Sequence, residues 1–226
     1  MSTTGVVIAI DGPGGSGKST VARGVANALG LSHLDTGAMY RAVAFVALGS
    51  RAPLDDERAL GEIAEALELE MGERVLANGN DVTDAIRSPE VNAAVSLVAS
   101  KARVRAAMVE RQRAWTQAHP GAVVEGRDIG SVVLPGADVK VYLTASETER
   151  ARRRAAEEGA VSAVELLATR GSIAARDELD STRAVSPLAV ADGAVVIDST
   201  DHSAAEVIAM VVDLAARATS GGPSRG

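Results

Sequence analysis

The chain has 226 residues and a formal net charge of −7; 46% of its residues are hydrophobic, 2% are aromatic and none is cysteine. The acidic balance argues against general nucleic-acid binding, and Tyr40, Phe45, Trp115 and Tyr142 are the only candidate stacking platforms. The lack of thiols excludes disulfides and thiolate metal sites, and with no leader-like or bilayer-length apolar run a soluble, cytosolic protein is expected.

Length and apolar content suffice for one large domain, or for a core with an insert. Residues 5–11 (GVVIAID) form a β-branched apolar run that stops at glycines, which predicts a buried parallel strand. Val21, Val25 and Leu29 then recur every four residues before Gly30, which predicts a helix with a glycine stop. Residues 51–88 break this pattern: LELEM (67–71) alternates, and Asn78-Gly79 sits between short extended runs. That predicts a small antiparallel insert with a hairpin. AVVE (122–125), VKVYL (139–143) and AVVID (194–198) are further strand-length runs, mostly separated by helical stretches. Such alternation predicts an α/β fold with a parallel sheet covered on both faces. Residues 149–159 (ERARRRAAEEG) predict an exposed, charge-dense helix, and the tail 219–226 is expected to be disordered.

Residues 12–19 fit G-x-x-x-x-G-K-[ST], after a strand and opening a helix. Glycines at 12, 14, 15 and 17 let backbone N–H groups turn inward around a phosphate chain, where the helix N-terminus adds partial positive charge. Lys18 supplies a compact ammonium on a slim stem for the β- and γ-phosphates, and Ser19 is positioned to coordinate Mg²⁺. A nucleoside triphosphate ligand follows. No N-K-x-D stands in the chain to read guanine. Glu125 and Asp128 lie near a strand end, but Arg127 between them suits an anion better than a metal.

Arginines recur at the predicted connections: Arg41, Arg127, Arg176 and Arg183, with Arg150, Arg153 and Arg154 sharing one helix face. An acidic chain that places them there looks built to gather several phosphates, which two phosphorylated substrates supply. Phosphoryl transfer is mostly positioning and charge neutralisation, and an arginine-bearing lid serves both while excluding water. A phosphate acceptor is largely ionised at neutral pH, so no general base is needed. Two rivals stand beside this reading: a small-metabolite kinase with a hydroxyl acceptor, which would need a base, and a nucleotide sensor without turnover, which has little use for so many lid arginines.

IAIDGPGGSGKST, LDTGAMYRA, VVEGRDIGSVVLPGADVKVYL and RDELDSTRAVSPL together resemble the bacterial-type cytidylate kinase family, in order over nearly the whole chain. The resemblance implies an adenylate-kinase-like, three-layer α/β P-loop fold with a five-stranded parallel sheet, a small antiparallel insert and a short lid. It divides the chain into a core (5–38, 118–148 and 186–218), a monophosphate-binding region with the insert (39–117) and a lid (149–185). It implies transfer from ATP to CMP or dCMP with Mg²⁺. A monomer is expected because the enzyme must close around its substrates, and the acidic balance and the lack of a bilayer-length run lead us to expect neither nucleic-acid nor membrane partners. Gly12, Pro13, Gly14, Gly15, Ser16, Gly17, Lys18, Ser19 and Thr20 would hold ATP, with Arg150 and Arg153 on the triphosphate side. Lys18, Arg127, Arg183 and Arg154 would carry the transfer. Arg41, Arg127 and Arg183 would clamp the acceptor phosphate near Thr36; Ser96, Arg105 and Asp128 would read cytosine; Arg176 and Asp180 would contact ribose. A carboxylate accepts from the cytosine amine but faces a lone pair on the O4 of uracil.

Ser96 and Arg105 are nine positions apart, about half a turn out of phase on one continuous helix. They converge on one base only if the chain breaks between them, which predicts a break near Ser100, with Ser100 as a candidate N-cap. Departures from the family pattern are Leu134-Pro135-Gly136-Ala137, Gly171 and Leu179, the last removing a lid charge. His33, His119 and His202 lack metal-ligand spacing and read as surface or loop residues; Trp115 reads as packing and Glu157-Glu158 as a helix face.

Overall fold

The computed structural model describes residues 5–157, 163–183 and 185–220. Five parallel strands form the central sheet: β1 (Val7–Asp11), β2 (Ser32–Asp35), β6 (Ala122–Gly126), β7 (Val139–Thr144) and β8 (Val195–Asp198). Their order is β2-β6-β1-β7-β8, so β1, which leads into the glycine loop, lies at the centre. Its register pairs Asp11 with Gly126 on one side and Tyr142 on the other. The turns that carry residues 12–17 and 127–128 thus leave the sheet side by side.

Alternate residues of the strands feed two cores. Ala9, Leu34 and Val124 face α2 (Thr36–Gly49), α4 (Pro89–Ser100) and α5 (Ala102–Ala118). Ile8, Ile10, Val123, Val141 and Leu143 face α1 (Lys18–Leu29) and α8 (Ala204–Ser220). Aliphatic residues of modest size fill both cores, and Gly24 lets α1 approach Ile208 of α8 closely. Gly30 ends α1 in the left-handed conformation, φ 66°, as the helix-stop pattern predicts.

Residues 51–88 hold α3 (Glu57–Ala66) and an antiparallel sheet of β3 (Leu69–Met71), β4 (Val75–Ala77) and β5 (Asn80–Asp81). Asn78 and Gly79 turn the hairpin with φ 49° and 75°, the mirror-image turn expected of that pair. A short 3₁₀ turn, Ala85–Arg87, returns the chain to α4.

The predicted interruption near Ser100 is present: α4 ends at Ser100, Lys101 is extended at φ −73° and ψ 123°, and α5 begins at Ala102. Ser100 is not the cap, however. It belongs to α4, and its hydroxyl donates back to Leu97 O at 2.7 Å, while the cap position falls to Lys101.

Three other expectations are corrected. The charged helix, α6 (Glu147–Glu157), is not exposed all round: Arg150, Ala151 and Ala155 are buried, and Arg152 is the outward arginine. Residues 158 and 159 of that expectation lie outside the described residues. The tail starts later than expected, because α8 runs to Ser220, with the Thr219 and Ser220 hydroxyls bonded back to Ala216 O; residues 221–226 lie outside the described residues. β2 is a strand that no apolar run announced. The helix after α6 is α7 (Ala163–Thr182).

Candidate active site

The glycine loop bridges β1 and α1. Gly12 has φ 151°, and a Cβ placed there would lie 2.0 Å from Leu143 O on the neighbouring strand. Only glycine fits. Gly12→Ala is expected to cost about 3 kcal/mol in overpacking and backbone strain, lowering the melting midpoint by roughly 9 °C. An unchanged midpoint in calorimetry would contradict this account of the loop.

Lys18, the first residue of α1, is buried under the loop, where its Nζ donates to Pro13 O at 2.7 Å and reaches Ser16 Oγ at 3.4 Å. Burial first, then the Arg127 charge, pull its ammonium down to about 7. Its charge is therefore poorly satisfied until an anion arrives. Ser19 donates to Glu125 Oε2 at 2.8 Å, and Glu125 Oε1 lies 3.1 Å from His33 Nε2. His33 is thus not a loop residue; it sits on β2 against the strand-end carboxylate.

One cavity opens between the loop, the N-terminus of α2, the break between α4 and α5, and helices α6 and α7. It brings together Gly14, Gly15, Gly17, Lys18, Ser19 and Thr20 with Thr36, Arg41, Ser96, Arg105, Arg127, Asp128, Arg154, Asp180 and Arg183. Seven cationic side chains line it against four carboxylates, although the chain as a whole is acidic. Such a cavity suits polyanions.

Its floor is a buried charge network. Arg105 donates to Asp128 and lies over the Tyr40 ring, 5.4 Å from the centroid. Arg183 sits 3.6 Å from Asp128 and 3.7 Å from Asp180. Arg127 donates to Asp180 Oδ2 and to Gly12 O, each at 2.8 Å. Ser96 Oγ, Arg105 Nε and Arg183 Nη2 are buried without a hydrogen-bond partner among the described residues. Buried polar atoms left in this way cost free energy unless a ligand satisfies them. Thr36 donates to Glu125 O at 2.7 Å, and Arg41 Nε reaches Asn92 Oδ1 at 3.4 Å. The break at Lys101 allows Ser96 and Arg105 to face the same cavity.

Gly12, Pro13, Ser16, Arg150 and Arg153 do not line this cavity. Arg150 lies behind the loop, donating to Gly14 O at 3.1 Å and to Asp177. Arg153 donates to Ser16 O at 3.3 Å and to Ser199 Oγ at 2.8 Å. A second groove, on the far side of the loop, is lined by Ser16, Gly17, Thr20, Arg153, Ser199 and His202. The side chain of Arg176 lies outside the described residues.

Sequence reasoning did not assign Asp35, Tyr40 or Arg87, all of which line the first cavity. Arg87 comes from the insert and stands 3.8 Å from Asp35, which caps α2 by accepting from Ala38 N at 3.0 Å. Tyr40 and Arg41 are adjacent in the quoted motif, so Tyr40 had a signal; Arg87 had none. No three His, Asp or Glu groups among the described residues cluster into an all-protein metal site. Mg²⁺ needs few protein ligands, and the Ser19 hydroxyl beside Glu125 is the hard-oxygen set that suits it at a triphosphate.

The cytidylate kinase family model matches residues 8–217. A cytidylate kinase from Shouchella clausii (strain KSM-K16) is 50% identical over 218 residues, covering 93% of this chain and 96% of that protein. One from Mycobacterium leprae (strain Br4923) is 46% identical over 213 residues, covering 93% and 96%. Among solved structures, an uncharacterized protein from Eubacterium ventriosum ATCC 27560 aligns with a TM-score of 0.50 over 93% of this chain and 98% of that one; at 11% identity it speaks to the fold alone. With a family match spanning nearly all of the sequence and with relatives of full length, the chain belongs to the cytidylate kinase family.

Proposed function

We propose that this enzyme holds ATP and CMP or dCMP on the two sides of its glycine loop and moves the γ-phosphoryl group between them. An oxygen of the acceptor phosphate attacks the γ-phosphorus, the bond to the β,γ-bridging oxygen breaks, and CDP or dCDP and ADP result. The acceptor phosphate is ionised at neutral pH, so no base is required. Lys18 and the loop N–H groups hold the donor phosphates, and Arg154 faces the same space from the lid. The groove lined by Thr20, Arg153 and His202 has room for the donor's nucleoside on the far side. Mg²⁺ would be held by Ser19 and phosphate oxygens, with Glu125 facing it; its role is to neutralise charge on the β- and γ-oxygens.

Arg41, Arg127 and Arg183 clamp the acceptor phosphate, with Thr36 beside them, while Asp180 faces the ribose hydroxyls. Ser96, Arg105 and Asp128 read cytosine. The observation that carries this reading is the set of buried polar atoms without hydrogen-bond partners on Ser96, Arg105 and Arg183 around the Asp128 carboxylate, which suits a planar ligand with polar edges. A hydroxyl-acceptor kinase would not need that set. We infer a monomer, since the enzyme must close around its substrates, and one that acts in the cytosol. The core, monophosphate-binding region and lid, bounded as in the sequence reading, are taken as its working parts.

The test is transfer of label from γ-³²P ATP. Radiolabelled CDP and dCDP are expected; release of labelled inorganic phosphate with no labelled diphosphate would overturn the reading.

A further inference from the structure

Asp11 is the last residue of β1 and immediately precedes the phosphate loop. It is buried, and none of the roles above uses it. Its two carboxylate oxygens accept from successive backbone amides 118 and 119 positions away: Oδ1 from Ile129 N at 2.7 Å and Oδ2 from Gly130 N at 2.7 Å. These amides open a rare five-residue π-turn, Ile129–Val133, directly after Arg127 and Asp128. The turn closes back on Asp128 itself, whose carbonyl accepts from Val132 N at 2.9 Å and Val133 N at 3.1 Å. A third bond joins the same two segments: Arg127 Nη1 donates to Gly12 O at 2.8 Å. Residues 11 and 12 therefore grip the 127–130 segment at three points. The side chain of Asp128 projects from the gripped turn toward Arg105 and Arg183.

We infer that Asp11 is a positioning residue for base selection, clasping the turn that carries Asp128 to the strand that carries the phosphate loop. The inference rests on the proposed cytosine-reading role of Asp128. The clasp fixes the distance between the donor-phosphate site and the acceptor base. It also denies the turn the small shifts that would let uracil be accommodated. A role in stability alone fits poorly. Burial, the largest influence, pushes the Asp11 carboxyl up to about 6, so the ionised form is disfavoured in the fold and stability is lost as pH rises toward and past that value. Yet the ionised form is the one that accepts from both amides.

The experiment compares wild type, Asp11→Asn and Asp128→Asn, with kcat/KM measured for CMP and UMP and ATP affinity measured by calorimetry. Asn retains the size, accepts one amide and turns an NH₂ toward the other. Asp11→Asn is expected to lower the CMP-to-UMP ratio by fivefold or more while ATP affinity changes less than threefold. A smaller change in the ratio, with the ratio of Asp128→Asn reduced, would overturn the inference and leave the base-reading role standing. An unchanged ratio in both variants would overturn the two together. Should Asp11→Asn fail to fold, hydrogen exchange on the wild type decides: Ile129 and Gly130 amides are expected to be protected in the free enzyme, and rapid exchange at either would overturn the clasp.

Discussion

Lys18→Met is expected to lower kcat by about three orders of magnitude, the loss seen when a preorganised charge on a reacting group is removed. Lys18 is buried and directed under the loop by Pro13 O, and burial, then the Arg127 charge, pull its ammonium down to about 7. Triphosphate oxygens would add to the counter-charge that the Glu125, Asp177 and Asp11 carboxylates supply in the free enzyme. Met preserves the stem and its packing, so the fold and the remaining loop N–H groups persist. ATP affinity should therefore fall much less than kcat, because the loop amides bind ground state and transition state alike while the ammonium meets the charge that grows during transfer. Rapid-quench measurement of the transfer step, beside an ATP titration, separates the two. A loss of less than tenfold in the transfer step would mean that another cation, with Arg127 nearest, carries the role.

Asp128→Asn has the second large effect, on selectivity. The Asp128 carboxylate faces two guanidiniums, Arg105 and Arg183, at the floor of the cavity. In the proposed site it accepts from the cytosine amine, which uracil lacks. Asn presents an NH₂ that donates to the O4 of uracil. The kcat/KM for CMP is expected to fall about 10³-fold, and the gap between CMP and UMP to narrow by roughly 10², since a site built on a buried hydrogen bond discriminates strongly. The change also leaves two buried cations without their shared carboxylate, which costs stability, on the order of 3 kcal/mol. Melting midpoints measured with and without CMP keep that loss apart from the selectivity effect. Equal losses for CMP and UMP would assign Asp128 to scaffolding.

The parts of this molecule that follow a strong periodic or chemical signal were legible in the sequence. The central strand, the glycine loop, α1 and its Gly30 stop, and the Asn78-Gly79 hairpin all carry local patterns that tertiary packing reinforces. The break at Lys101 was legible for another reason: two residues out of phase on a helix had to reach one base, so the demand of the site located the break. β2 was missed because Ser32-His33-Leu34-Asp35 contains one apolar residue. It is an edge strand whose polar positions serve the site, with His33 against Glu125 and Asp35 capping α2. Arg150, Arg153 and Arg154 share a face of α6 by their spacing, but a shared face does not say which surface it meets. Arg153 reaches Ser16 and Ser199 behind the loop, Arg150 is buried beside Gly14, and Arg154 enters the main cavity. Arg87 carried no signal, and Asp11, although it stands inside the first quoted motif, carried none that pointed to its role. The first comes from the far end of an insert, and the second bonds backbone amides over a hundred residues away, which no side-chain pattern encodes.

The most direct test of the central claim is ADP formation from ATP and Mg²⁺ with CMP, dCMP, UMP, AMP, shikimate or gluconate added in turn. Turnover with CMP and dCMP well above UMP, and none with the two hydroxyl acceptors, is the predicted result. Binding of ATP without turnover on any monophosphate, or turnover on shikimate or gluconate, would contradict it.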